Sequence, residues 1–145
     1  MADVPVTAAN LRIIESIEAR TVTALAAVAI TKGQACYINS SGLAALALAT
    51  GVATGPAVGI ATHDAAAGRA VTLLHYGRLA GYTLGTPGAL VYLSDQNAGA
   101  LNDTPPAATD EFVQPVGRIF EMTDTAGTEY LFVDIDLAFA PVELA

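Results

Sequence analysis

The stretch GQACYINSSGLAAL (33–46) is echoed further along the chain by GALVYLSDQNAGALN (88–102). Gly33 falls on Gly88, Ala35 on Leu90, Cys36 on Val91, Tyr37 on Tyr92 and Ile38 on Leu93. A second pair follows in the same order, AVGIATHDAAAGRAVTLLHYG from Ala57 and PVGRIFEMTDTAGTEYLFVDI from Pro115, which places Val58 on Val116, Gly59 on Gly117, Gly68 on Gly127 and Leu73 on Phe132. The offset drifts only from 55 to 59 residues, a change that loops absorb, and self-similarity at such a period marks a repeated supersecondary unit. The chain therefore predicts two similar β units, 31–82 and 86–139, within a single β domain at 21–145. Residues 1–20 lie outside the repeat and read as an N-terminal arm.

The units read as strands and turns. QACYINSSG is a strand ended by Asn39, Ser40, Ser41 and Gly42, residues with turn chemistry. Pro56 and the glycines at 51, 55 and 59 argue against a long helix in GLAALALATGVATGPAVGIAT. In AGRAVTLLHYGRLAGYTL, Val71, Leu73 and His75 fall on one strand face, Thr72, Leu74 and Tyr76 on the other, with Gly77 and Gly81 as bends or bulges. NDTPPAATDEFVQ is a polar loop, and a hairpin follows it. In that hairpin Leu131, Val133, Ile135 and Leu137 alternate with Phe132, Asp134 and Asp136, the period of a half-buried strand. The expected fold class is all-β: a compact β-barrel, β-tulip or sandwich built from the two units, with an extended N-terminal arm.

Composition narrows the function classes. Hydrophobic residues make up 53% of the chain, but Gly, Pro, Thr and Asp interrupt them well short of the ~20 in a row that span a bilayer, so no membrane partner is expected. Asp3 and Pro5 stand where an export signal carries basic residues, so a classical signal is not expected. With 14 acidic against 6 basic residues, the net charge of -8 repels phosphate backbones, and direct nucleic-acid binding is not expected either. The lone Cys36 sits in an apolar word and reads as a small buried hydrophobe.

Catalytic and metal chemistry find little support. His63 and Asp64 are adjacent and read as a turn, while His75 lies among apolar strand residues; two histidines do not define a zinc site. DQNAG from Asp95 begins like a calcium loop but lacks its glycine at position six and its glutamate at position twelve. The glycines of GVATGPAVG lack the Lys and Ser/Thr of a phosphate loop. Asp134 and Asp136 share a strand face, and an enzyme reading would need them and His75 in one cleft. We expect no catalytic residue, no cofactor and no metal. With no tryptophan and 6% aromatic residues, a sugar-binding face would have to draw on Tyr37, Tyr76, Tyr82, Tyr92 and Tyr130, although Tyr37 and Tyr92 are more simply core residues or turn supports.

The arm, MADVPVTAANLRIIESIEAR, holds an extended Val4-Pro5-Val6-Thr7 and a short helix that Asn10 would cap, with Leu11, Ile14 and Ile17 on one side. These apolar residues need cover, either on their own domain or in a neighbouring subunit.

The words KGQ, YINSSG, VGIA, AAAGRAVTLLHYG and VYLS, in that order, resemble the small capsid decoration (cement) proteins of tailed bacteriophages, over most of the chain beyond residue 18. The resemblance implies a β-barrel or β-tulip, a homotrimer on the outer surface of the virion, made in the host cytoplasm, and the major capsid protein as partner. On that reading Val4, Val6, Leu11, Ile13 and Ile14 contact the capsid or a sister subunit by strand addition. A receptor- or glycan-binding module of a phage tail or fibre is the alternative, which exposed tyrosines clustered on one face would favour.

Overall fold

The computed structural model describes residues 3–122 and 128–145. Gly127, matched above to Gly68, lies outside the described residues. Ten strands form a single, strongly curled sheet, a half-barrel. They are β1 (Arg12–Ile14), β2 (Arg20–Leu25), β3 (Ala35–Ile38), β4 (Ala44–Leu46), β5 (Gly59–Ala61), β6 (Ala70–Ala80), β7 (Leu90–Leu93), β8 (Leu101–Asn102), β9 (Pro115–Glu121) and β10 (Glu129–Asp134). All their pairings are antiparallel, and the described residues contain short 3-10 turns but no α-helix.

The main path runs β4-β3-β5-β6-β10-β9-β7-β8. Read outward from the central β6–β10 pair, each half repeats one order: β6, β5, β3, β4 on one side and β10, β9, β7, β8 on the other. Registers agree as well. Cys36 pairs with Gly59 as Val91 pairs with Gly117, and Ala61 pairs with Leu73 as Ile119 pairs with Leu131. Leu73 thus corresponds to Leu131, one residue short of the expected Phe132. The difference matters because a one-residue slip in a strand turns every side chain to the other face. Leu73 and Leu131 are both fully buried, whereas Phe132 is half-exposed.

The repeated glycines have a common cause. A Cβ on Gly59 would lie 2.7 Å from Leu73 Cβ, and one on Gly117 would collide with the Phe132 carbonyl oxygen and come within 3.0 Å of Leu131 Cδ1. Each half needs a bare backbone where its third and fourth strands cross closely.

β6 is the trunk of the sheet. At Leu73 and Leu74 it is flanked by β2 and β5, and at Arg78 and Leu79 by β1 and β10. It also divides the core. Leu74 and Leu79 join the larger cluster with Ile60, Val91, Leu93, Phe112, Ile119, Leu131 and Val133, while Val71 and Leu73 join a smaller one made chiefly of alanines with Ile30 and Cys36. Leu73 and Leu74 thus lie on opposite faces, as the alternation predicts, and both are fully buried. The halves are also joined by Gln114, whose side-chain amide donates to Ala57 O while its Oε1 accepts from Ala57 N, both at 2.8 Å in the buried interior.

The expected helix near Asn10 is absent. Residues Ala8–Asn10 make one 3-10 turn and the chain then enters β1, because a helix this short is marginal in water whereas β1 gains a ladder with β6. The alternation Leu131, Val133, Ile135 continues to the end of β10 and beyond, but Leu137 is 48% exposed. There the chain turns away, with Asp136 Oδ1 accepting from Ala138 N at 2.9 Å.

Candidate interaction surface

Alternation on three central strands sends one set of side chains inward and the other outward. Leu79, Leu131, Val133 and Ile119 point into the core. The outward set makes a row across five strands, since Ile14 pairs with Arg78, Arg78 with Phe132, Phe132 with Arg118 and Arg118 with Leu90. Residues paired directly across an antiparallel ladder share a face, so this row is continuous. On either side lie Arg20, Tyr76 and Asp134, which are in register, and Tyr130 paired with Phe120.

The aromatic rings touch one another. Tyr76 meets Phe132 edge-on with centroids 5.3 Å apart, Phe120 stacks on Tyr130 at 5.8 Å, and Phe120 lies 5.7 Å from Phe132. Arginines cover the ends: Arg20 sits 5.1 Å over the Tyr76 ring and Arg78 5.6 Å over Tyr130. Arg78 Nε also pairs with Glu18 Oε1 at 2.7 Å, a partly exposed bridge contributing about 0.2–1 kcal/mol, and Arg118 donates to Gly88 O at 2.6 Å. Arg12, Arg20, Arg78 and Arg118, four of the six basic residues, lie on this side of an otherwise acidic chain. Phe120 is nevertheless 43% exposed, and a shallow groove bounded by Leu90, Arg118, Phe120, Phe132 and Asp134 runs beside it.

The arm residues lie at two places. Val4 N donates to Leu101 O, Val6 bridges to Tyr82, and the buried Leu11 packs with Val6 against Gly33. Ile13 pairs with Leu79 and packs against the main core, whereas Ile14 joins the outer row. Leu11 thus finds cover on its own chain, while Ile17 is 94% exposed. Sequence reasoning missed the pin at the front of this segment. The Asp3 carboxylate accepts from the buried Ser94 hydroxyl, from Asn97 Nδ2 at 2.7 Å and from the buried Asn102 Nδ2 at 3.3 Å.

The residues weighed for chemistry do not converge. His63 Nε2 accepts from Thr72 N at 3.1 Å and its Nδ1 lies 2.9 Å from Asp64 O, while Asp64 Oδ1 accepts from Lys32 N. His75 neighbours Tyr76 on β6 and so faces away from the side that carries Asp134, and Asp136 closes the turn described above. Burial pushes the Cys36 thiol up to about 12 and raises the Tyr82 phenol, whose hydroxyl donates to Gly33 O at 2.7 Å. Among the described residues no three His, Cys, Asp or Glu side chains gather as a metal site, and no helix is long and apolar enough to cross a membrane.

Compared with known protein families and with curated proteins, the chain matches none of them.

Proposed function

We propose that this chain is a non-enzymatic structural protein that decorates the outside of a bacteriophage capsid as a homotrimer and stabilises the shell by bridging major capsid protein subunits. The observation that carries the reading is the outer face of β6, β10 and β9. Tyr, Phe and Arg are the residues enriched at protein interfaces, and here they are pre-assembled on a sheet rather than on loops. A rigid platform loses little conformational freedom on docking, so more of its contact energy appears as affinity. Three linked copies hold adjacent capsomers through multivalency, even where each contact is modest. The resemblance of the ordered words to decoration proteins supports the same reading. The glycan-binding alternative is not favoured, because the clustered exposed tyrosines it calls for are not on this face: Tyr130 is buried at 6% and Tyr76 lies under Arg20.

The test is cosedimentation of the purified protein with DNA-free shells that lack it, with its mass determined by light scattering. Saturable binding by a trimer is the expected result. A chain that never sediments with shells overturns the proposal.

A further inference from the structure

Three arginines follow one another along the outer side of β6. Arg78 stands on the strand itself, Arg12 is paired with Ala80 and Arg20 with Tyr76. Positions 76, 78 and 80 are alternate residues of one strand, so they share a face at intervals of about 6.7 Å, and a residue paired across the ladder shares that face too. The middle arginine is satisfied from within the chain: Arg78 Nε meets Glu18 Oε1 at 2.7 Å, a carboxylate supplied by the 3-10 turn Ser16–Glu18 between β1 and β2. Among the described residues neither the Arg12 nor the Arg20 side chain has a carboxylate or hydrogen-bond partner, although Arg20 lies over the Tyr76 ring. Glu15 lines the cleft that holds Arg12, and Asp134 lies in the row of Arg20, but among the described residues neither forms an ion pair with them.

We infer that the shell segment seated on this face is an extended acidic strand, which brings two carboxylates four residues apart to Arg12 and Arg20, one on each side of the Glu18–Arg78 pair. The inference rests on the decoration reading and names the chemistry of its partner. Side chains four residues apart in an extended strand point the same way and are separated by about 13 Å, the spacing from position 76 to position 80. Glu18 shows what the row accepts, and it leaves the two flanking positions unfilled. A guanidinium stacked on a ring is pre-organised, and its edge offers paired N–H donors in the geometry of a carboxylate. The net charge of -8 does not forbid such a partner, because salt screens exposed charges beyond about 8 Å and four of the six basic residues are gathered on this side. A nucleic-acid strand also repeats its negative charge, but it would continue past the face to the acidic remainder of the chain, which repels it.

The experiment replaces each flanking arginine by lysine in the full chain, Arg12→Lys and Arg20→Lys, and treats the protein on DNA-free shells with a carbodiimide, which joins a lysine amine to a carboxylate it touches. Lys32 is the chain's one native lysine and sets the background. Both variants are expected to crosslink to shells at least tenfold faster than the wild type, at shell peptides in which mass spectrometry finds two acidic residues four apart. In parallel, Arg12→Glu and Arg20→Glu are each expected to weaken shell binding at least tenfold. Arg69→Glu, which makes the same change in net charge just before β6, is expected to leave binding unchanged, and thermal melting confirms that each variant is folded. Saturable shell binding that both charge reversals leave intact overturns the inference and leaves the decoration reading standing, as do lysines that couple only to Glu15 or Asp134 of their own chain. A single-stranded oligonucleotide that displaces the protein from shells at physiological salt also overturns it. A wild type that never sediments with shells overturns both.

Discussion

Two buried side chains carry out-of-proportion responsibility for the interior. Gln114 satisfies both the N–H and the C=O of Ala57 across the two halves. Leaving a buried donor and acceptor unpaired costs about 1–3 kcal/mol each, more than an ordinary hydrogen bond contributes. Gln114→Ala is therefore expected to lower stability by about 2–4 kcal/mol in a urea titration, and to do so more than the exposed Gln96→Ala. Cys36 supplies the pH prediction. Its thiol is raised from 9.0 to about 12 by burial, so the unfolded chain gives up this proton first as pH rises. The native state holds more protons between those values, and stability falls with rising pH there. One such group contributes a slope of at most about 1.4 kcal/mol per pH unit. Cys36→Ala is expected to show a shallower loss of stability between pH 9 and 12 than the wild type, with Tyr82 accounting for part of what remains; identical slopes would show that the thiol is already ionised or solvated in the folded protein.

At the scale of elements, the N-terminal segment shows what sequence alone does and does not reveal. Val4 to Thr7 read as extended and is, but a short helix was expected next, and a 3-10 turn and β1 stand there instead. Periodicity could not decide between them because Leu11, Ile13 and Ile14 suit either, and the ladder offered by β6 is remote in sequence. The paired strands were legible for the opposite reason: the signals of β3, β5, β7 and β9 are local, a glycine or turn followed by a short apolar run. The outer face was hidden because it is formed by register. Arg118, Phe120, Phe132 and Tyr76 come from three strands, and only the alternation of Phe132 and Asp134 with buried neighbours hinted at it. Asp3 was hidden likewise, since its three partners lie more than ninety residues away. The pin makes a prediction about the whole segment. Asp3→Ala leaves the Ser94 hydroxyl and the Asn102 amide buried without their acceptor, and is expected to cost about 1–3 kcal/mol and to speed amide exchange at Val4 and Thr7 before that of β6. Uniform exchange throughout would mean that the segment is held by its main-chain bonds and by Leu11 alone.

For the molecule as a whole, the placement of charge and rings sets how it would hold a shell. A chain of net charge -8 would be repelled by an acidic surface, yet its Arg-bearing face is the one where Phe120 remains exposed. Electrostatics then chiefly govern approach and orientation, while the rings govern how long the complex lasts. The two contributions separate experimentally. Arg118→Ala is expected to slow association and to weaken the dependence of binding on salt, with little change in release. Phe120→Ala removes an exposed ring whose aromatic contacts contribute about 0.5–1.5 kcal/mol within the fold, so the free protein is expected to melt only slightly lower. If that ring seats in a shell pocket as an interface anchor, each site loses about 2 kcal/mol, roughly thirtyfold in Kd. Three sites acting together would amplify this, and Phe120→Ala is expected to leave shells at least thirtyfold faster in a dilution experiment followed by sedimentation. Release at the wild-type rate from a folded variant would move the contact off this face, to the arm.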